Sequence, residues 1–169
     1  MRILLLRSIL ALSASAILVG VASPAAAQSA QGHPYQQVIS ANPFGLLLEL
    51  FNAEYERIVT ESSTAGIGGS TFSRSDDRYV NVDAFWRFYP SGVPLDGWAF
   101  GSKVGLTSVT DEGTYFGFGF DVNRSWLMGA QDNFYVGLGF GLKRIIGSPD
   151  EVSLKFIPTF RIVNVGFAF

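Results

Sequence analysis

Seven charged residues are the part of this 169-residue chain best placed to do chemistry: Glu54, Glu56, Asp83 and Asp121 against Arg87, Lys103 and Lys143. Each sits in a segment where bulky apolar residues alternate with small or polar ones, on the polar side of the alternation. A period of two is the signature of a β-strand, so these side chains share one face of a sheet. Enclosed on that face they must pair or stay hydrated, because an isolated buried charge is very unfavourable. Two chemistries follow: a salt-bridged core, or a selectivity filter or gate for ions. Asp83, on the same segment as Arg87, and Asp121 are the nearest expected partners of Arg87 by strand adjacency.

Other chemistry has little to stand on. The single histidine, His33, lies ahead of the alternating segments. A serine nucleophile needs a positioned base, and His33 could serve only if its segment folded back beside a strand. No His, Asp and Glu cluster has metal-ligand spacing, and Gly117-Phe118-Gly119 reads as sheet lining, not a phosphate loop. The reading is therefore of a non-enzyme, with no catalytic residue, cofactor or dedicated metal site.

The elements that must position the charges are clearest at 133–143. Phe134, Val136, Leu138, Phe140 and Leu142 alternate with Tyr135, Gly137, Gly139, Gly141 and Lys143. A water-soluble barrel or sandwich fills its inner face with Leu and Val and turns polar groups outward. Glycine and charge opposite an aromatic wall suit the reverse, a barrel with a lipid-facing exterior and a small polar interior. Eight such segments are expected, at about 37–47, 52–59, 64–72, 79–89, 98–108, 114–127, 133–146 and 155–169. The division of the first two is the least defined, since 46–50 also suits a helix. The fold expected is all-β, an eight-stranded antiparallel up-and-down transmembrane β-barrel, with a bilayer crossing of roughly 9–11 tilted residues per strand.

Ahead of it, Arg2 and Arg7, the apolar run 9–22 and the Ala-x-Ala ending at Ala27 read as a secretory signal peptide. The expected organisation is a cleaved signal over 1–27, a tail over 28–36 and one barrel domain over 37–169. Without Arg2 and Arg7, ten bases face fourteen acids, a net charge of −4. That balance, with no Lys/Arg cluster, argues against nucleic-acid binding. With no cysteine, disulfides, thiolate metal sites and cysteine catalysis are all excluded. Nineteen glycines and fifteen phenylalanines fit together if Phe faces lipid and Gly lines a crowded interior.

Alternate connections of such a barrel lie at the same end. Trp86, Trp98 and Trp126 all fall beside one set, with Phe88, Phe134, Phe167 and Phe169 at the same level. They read as an interfacial aromatic girdle at the periplasmic rim. Arg57, Arg124 and Arg144 fall on the outward parity, where they can snorkel to headgroups. The other set of connections carries the acidic doublets Asp76-Asp77, Asp111-Glu112 and Asp150-Glu151, with Glu49 nearby. Turns attract such residues for solubility. The functional alternative is a rim collecting divalent cations shared with lipopolysaccharide phosphates.

With these segments placed, the chain resembles the small single-chain bacterial outer-membrane barrels, of which the OmpA transmembrane domain is the familiar type. The ending Val163-Asn164-Val165-Gly166-Phe167-Ala168-Phe169 resembles the terminal signal such proteins present to the barrel assembly machinery. In it Ile157, Val163, Val165, Phe167 and Phe169 share the outward parity, with Arg161 interrupting. Asn42-Pro43-Phe44-Gly45-Leu46-Leu47 and Asn52-Ala53-Glu54-Tyr55-Glu56-Arg57 resemble the opening of a group of such barrels of unknown function. The resemblance implies a monomer exported to the Gram-negative outer membrane, in contact with its lipid and lipopolysaccharide. It leaves three roles: a plugged structural or interaction barrel with short surface loops, a narrow porin-like channel for small solutes or ions, and a lipid-modifying enzyme.

Overall fold

The computed structural model describes residues 34–47, 50–74, 77–147 and 156–169. Eight strands follow one another: β1 (Gln37–Ala41), β2 (Leu50–Thr60), β3 (Ser63–Arg74), β4 (Asp77–Phe88), β5 (Gly97–Val109), β6 (Gly113–Met128), β7 (Phe134–Ile146) and β8 (Phe156–Ala168). Each pairs antiparallel with its sequence neighbours, and β1 also pairs with β8, so the sheet closes into a ring without free sides at most levels. The signal-peptide residues, His33, Glu49, Asp76, Asp150 and Glu151 lie outside the described residues. Tyr35 and Gln36, expected in a tail, are tied to the ring: Tyr35 Oη donates to Gln131 O at 2.7 Å, and Ile58 N donates to Gln36 O at 2.9 Å.

Period-two alternation decides which way each side chain points. On β6 Gly117, Gly119, Asp121, Asn123 and Ser125 are buried, while Phe116, Phe118, Phe120 and Val122 are exposed. β4, β5 and β7 follow the same rule, so the outer surface over β4 to β7 is largely apolar. Turn chemistry permits the tight connections. Between β5 and β6 only 110–112 are needed, with Asp111 at φ 60 and Gly113 at φ 132. Asp tolerates the left-handed region better than most side chains and Gly adopts it freely.

Two places depart from the sequence expectation. The first strand ends at Ala41, not near 47, and a 3-10 turn follows over Pro43–Leu47. Pro43 has no N–H to continue a ladder, and Asn42 Oδ1 accepts a bond from Gly45 N at 3.0 Å, which starts the turn. β2 accordingly begins at Leu50.

The second departure is on β8. Gly137 pairs with Asn164 but Gly139 pairs with Arg161, so β8 carries an extra residue, a β-bulge, with Val163 at φ 47. The bulge switches parity. Ile157 and Arg161 are buried inside, whereas Phe167 and Phe169 beyond the bulge are exposed outside. The expectation that Ile157 shares the outward face of Phe169 is therefore wrong, because an unbroken alternation does not run through 162–163.

Inside, the ring is layered. One apolar cluster, Val38, Ile58, Leu95, Leu127, Tyr135 and Ala168, fills the end that holds the C-terminus. A second, Tyr79, Val109, Ile145 and Ile157 with Phe72 and Tyr115, fills the far end. Charged residues occupy the layer between.

Candidate functional site: the charged interior

Strand adjacency brings β2, β4, β5, β6 and β8 side chains into one lumen, which eight strands leave just wide enough to fill. Arg87, 2 % exposed, is the hub. Its Nη1 donates to Glu56 Oε2 at 2.6 Å, its Nη2 to Glu54 Oε2 at 3.0 Å, and its Nε lies 3.7 Å from Asp121 Oδ1. Asp83, expected beside Arg87, is instead the partner of Lys143, with Nζ 2.5 Å from Oδ1. The long guanidinium arm reaches past its own strand to the β2 carboxylates, and the shorter reach of Asp83 leaves it to β7.

Glu54 Oε2 also accepts from Arg161 Nη2 at 3.1 Å, and Asp121 Oδ2 from Lys103 Nζ at 3.1 Å. Lys103 Nζ donates in turn to Thr159 Oγ1 at 2.9 Å. The contacts form one chain, Arg161–Glu54–Arg87–Asp121–Lys103–Thr159, leaving β8, crossing the lumen and returning to β8. Neutral groups satisfy the remaining lone pairs: Thr64 Oγ1 and Tyr89 Oη both donate to Glu56 Oε1, at 2.6 and 2.8 Å, and Asn123 donates to Asp121. Gly101 pairs with Arg87 on one side and Asp121 on the other. A β-carbon there would sit 3.0 Å from Asp121 Cγ and 3.1 Å from Arg87 Cγ, so only glycine leaves room for both side chains.

Arg161 is the residue that parity alone misplaces. Counted along an unbroken strand, it interrupts an outward face. In the fold it is buried, stacks over the Tyr135 ring at 5.3 Å, and makes four bases against four acids in the lumen. A signal for it exists in the sequence, since four acids against three bases leaves one charge to be balanced. The bulge is what hides it.

The remaining candidates lie on the surface of the ring. Trp86, Trp98 and Phe167 are exposed, and Trp126 is half-buried. Arg124 lies 5.9 Å from the Trp98 ring and 5.3 Å from that of Trp126. Arg144 is exposed over Phe156 at 5.7 Å. Phe169 is exposed, while its main chain receives Gln36 N and Gln37 N at 3.1 and 3.0 Å and donates to Gln37 O at 2.9 Å. Of the acidic doublets, Asp77, Asp111 and Glu112 are described. No group of three or more metal-ligating side chains occurs among the described residues.

A cavity of about 110 Å³ adjoins the network, lined by Glu54, Asp83, Arg87, Lys103, Asp121 and Arg161 together with Asn52, Ser70, Phe72 and Phe160. Comparison with protein-family models, with curated proteins and with solved structures gives no match.

Proposed function

We propose that this protein is an eight-stranded up-and-down β-barrel embedded in the bacterial outer membrane, and that it is a sealed structural or interaction element, not a channel. The observation carrying this reading is the inversion of polarity: Phe116, Phe118, Phe120, Phe140 and Phe160 are exposed while Glu56, Arg87, Asp121 and Lys143 are buried. In water such an exterior would be an aggregation surface far larger than ordinary exposed patches. Against lipid tails it is the required one, and closure of the ring pairs most of the strand edges.

The ends support a level in the bilayer. Trp86, Trp98, Trp126, Phe134 and Phe167 lie toward the C-terminal end, where interfacial aromatics sit at headgroup level, with Arg124 between two of the tryptophans. The sealed reading rests on the two apolar layers and the ion-pair chain across the lumen. The resemblance to OmpA-type barrels, the contact with lipopolysaccharide and delivery by the barrel assembly machinery belong to the same proposal.

The test is outer-membrane fractionation, a heat-dependent shift in gel mobility and planar-bilayer recording on refolded protein. The reading expects outer-membrane location, a mobility shift and no stepwise current. Location in a soluble fraction sinks the membrane reading, and steady conductance supports the channel.

A further inference from the structure

The ring is not uniformly closed. β1 pairs with β8 only from Ala41↔Val165 to Val38↔Ala168, so among the described residues β8 from Phe156 to Ile162 has no strand partner on that side. Across the interval lies β2. Its Asn52 Nδ2 donates to Phe160 O at 3.0 Å, a side chain in place of the missing ladder bond. Phe160 O therefore faces away from β7. By strand alternation Pro158 faces the same way, and it removes one donor from this edge. The cavity beside the charged network has residues from both banks of this seam: Asn42, Leu50 and Asn52 on one, Pro158, Phe160 and Ile162 on the other.

We propose that this lateral seam is a binding site for a single-chain amphiphile whose head is uncharged and hydrogen-bonding, such as a monoacylglycerol. The proposal rests on the membrane reading above. Phe160 and Ile162 line the cavity and are exposed on the outer wall, so a ligand can reach the cavity from the side. Phe51 and Phe160 flank the seam as a path for the acyl chain.

Two buried residues that line the cavity keep polar atoms without a hydrogen bond inside the barrel. Arg161, 5 % exposed, has Nε and Nη1 without a hydrogen bond, and buried Asn52 has Oδ1 without one. A hydroxyl, which both accepts and donates, suits either residue once the seam admits it. A charged head does not, because the eight interior charges already balance and an added ion would be buried unpaired.

The test uses the mature barrel in phosphatidylcholine nanodiscs, with 1-monooleoylglycerol as the probe, oleate at alkaline pH as the charged comparison, and native mass spectrometry as the readout. One-to-one binding of the monoacylglycerol in preference to oleate is expected. Asn52→Leu, which removes no charge, should weaken it about tenfold, the scale of one buried hydrogen bond. Ser70→Trp, which fills the cavity, should abolish it. Arg161→Met also breaks an ion pair, so the other two variants decide the matter, each checked for the folded mobility shift.

Absence of one-to-one binding in correctly inserted barrels, or binding indifferent to both variants, overturns the site. Equal or tighter binding of oleate overturns the uncharged head. Failure of the protein to float with vesicles instead condemns the membrane reading on which the site depends.

Discussion

Arg161 Nη2 lies 3.1 Å from Glu54 Oε2, and the two meet only because the backbone bulges at Val163. Without the extra residue, the parity that sends Phe167 and Phe169 outward would send Arg161 out as well. The bulge thus lets one strand present an apolar end to its surroundings and a charge to the lumen.

Removing one partner of a buried pair typically destabilises by about 3–5 kcal/mol, because the other charge stays buried alone. Arg161→Met leaves Glu54 with Arg87 as its near partner, so a loss at the lower end of that range is expected. Arg87→Ala strips Glu54, Glu56 and Asp121 together and should lie at the upper end or beyond. Arg144→Ala, on the exposed face, should change stability by no more than about 0.5 kcal/mol. Denaturant unfolding of the refolded barrel measures all three, and equal small effects would refute the filled interior.

Val163 gives a second, separable test. Deleting it removes the bulge and forces either Arg161 or the terminal aromatics onto the wrong face, so no heat-shifted folded band should form. Val163→Gly keeps the extra residue and relieves a β-branched side chain at φ 47. It should fold normally, with stability within about 1 kcal/mol of the parent. A folded deletion variant would show that the parity switch is dispensable.

These two cases mark what the sequence could and could not reveal. The strands from β4 to β7 are legible because most strong apolar side chains from Val80 to Leu142 repeat at period two, with small or polar residues between them. Interior membership of Glu54, Glu56, Asp83, Arg87, Lys103, Asp121 and Lys143 follows from parity alone. Partner choice does not, because Arg87 reaches over several residues and passes Asp83 for Glu56. The short β1 is hidden by the apolar run 46–50, which suits several conformations. The bulge is hidden because a single inserted residue leaves no mark except a charge out of phase.

Gly101 predicts the tightness of the lumen. Gly101→Ala places a β-carbon against Asp121 and Arg87, neither of which can retreat without breaking an ion pair. Overpacking of this kind costs about 1–3 kcal/mol, read as a lower unfolding midpoint. An unchanged midpoint would mean the interior is looser than the contacts indicate.

Phe169 separates assembly from stability, provided the backbone is kept. Its main chain closes the ring through Gln36 and Gln37, so deleting the residue removes those bonds along with the aromatic side chain. Phe169→Ala retains them and removes only the exposed aromatic group. On the proposed reading of the terminus as an assembly signal, this variant refolds into detergent as the parent does but accumulates poorly in the outer membrane. Normal accumulation in fractionated cells would remove that role.

Conduction is the sharpest test of the sealed interior. Leu95, fully buried at φ 69, packs in the C-terminal-end apolar layer with Val38, Ile58 and Leu127. Leu95→Ala thins that layer but leaves the chain from Arg161 through Arg87 to Lys103 across the lumen. An ion that passes that layer meets charges already paired, and stripping its hydration there carries the large penalty of charge burial. Planar-bilayer recording should therefore show no stepwise current for the parent or for Leu95→Ala. Stepwise current from Leu95→Ala alone would place the seal in the apolar layer instead of the ion pairs, and current from the parent would make the protein a channel.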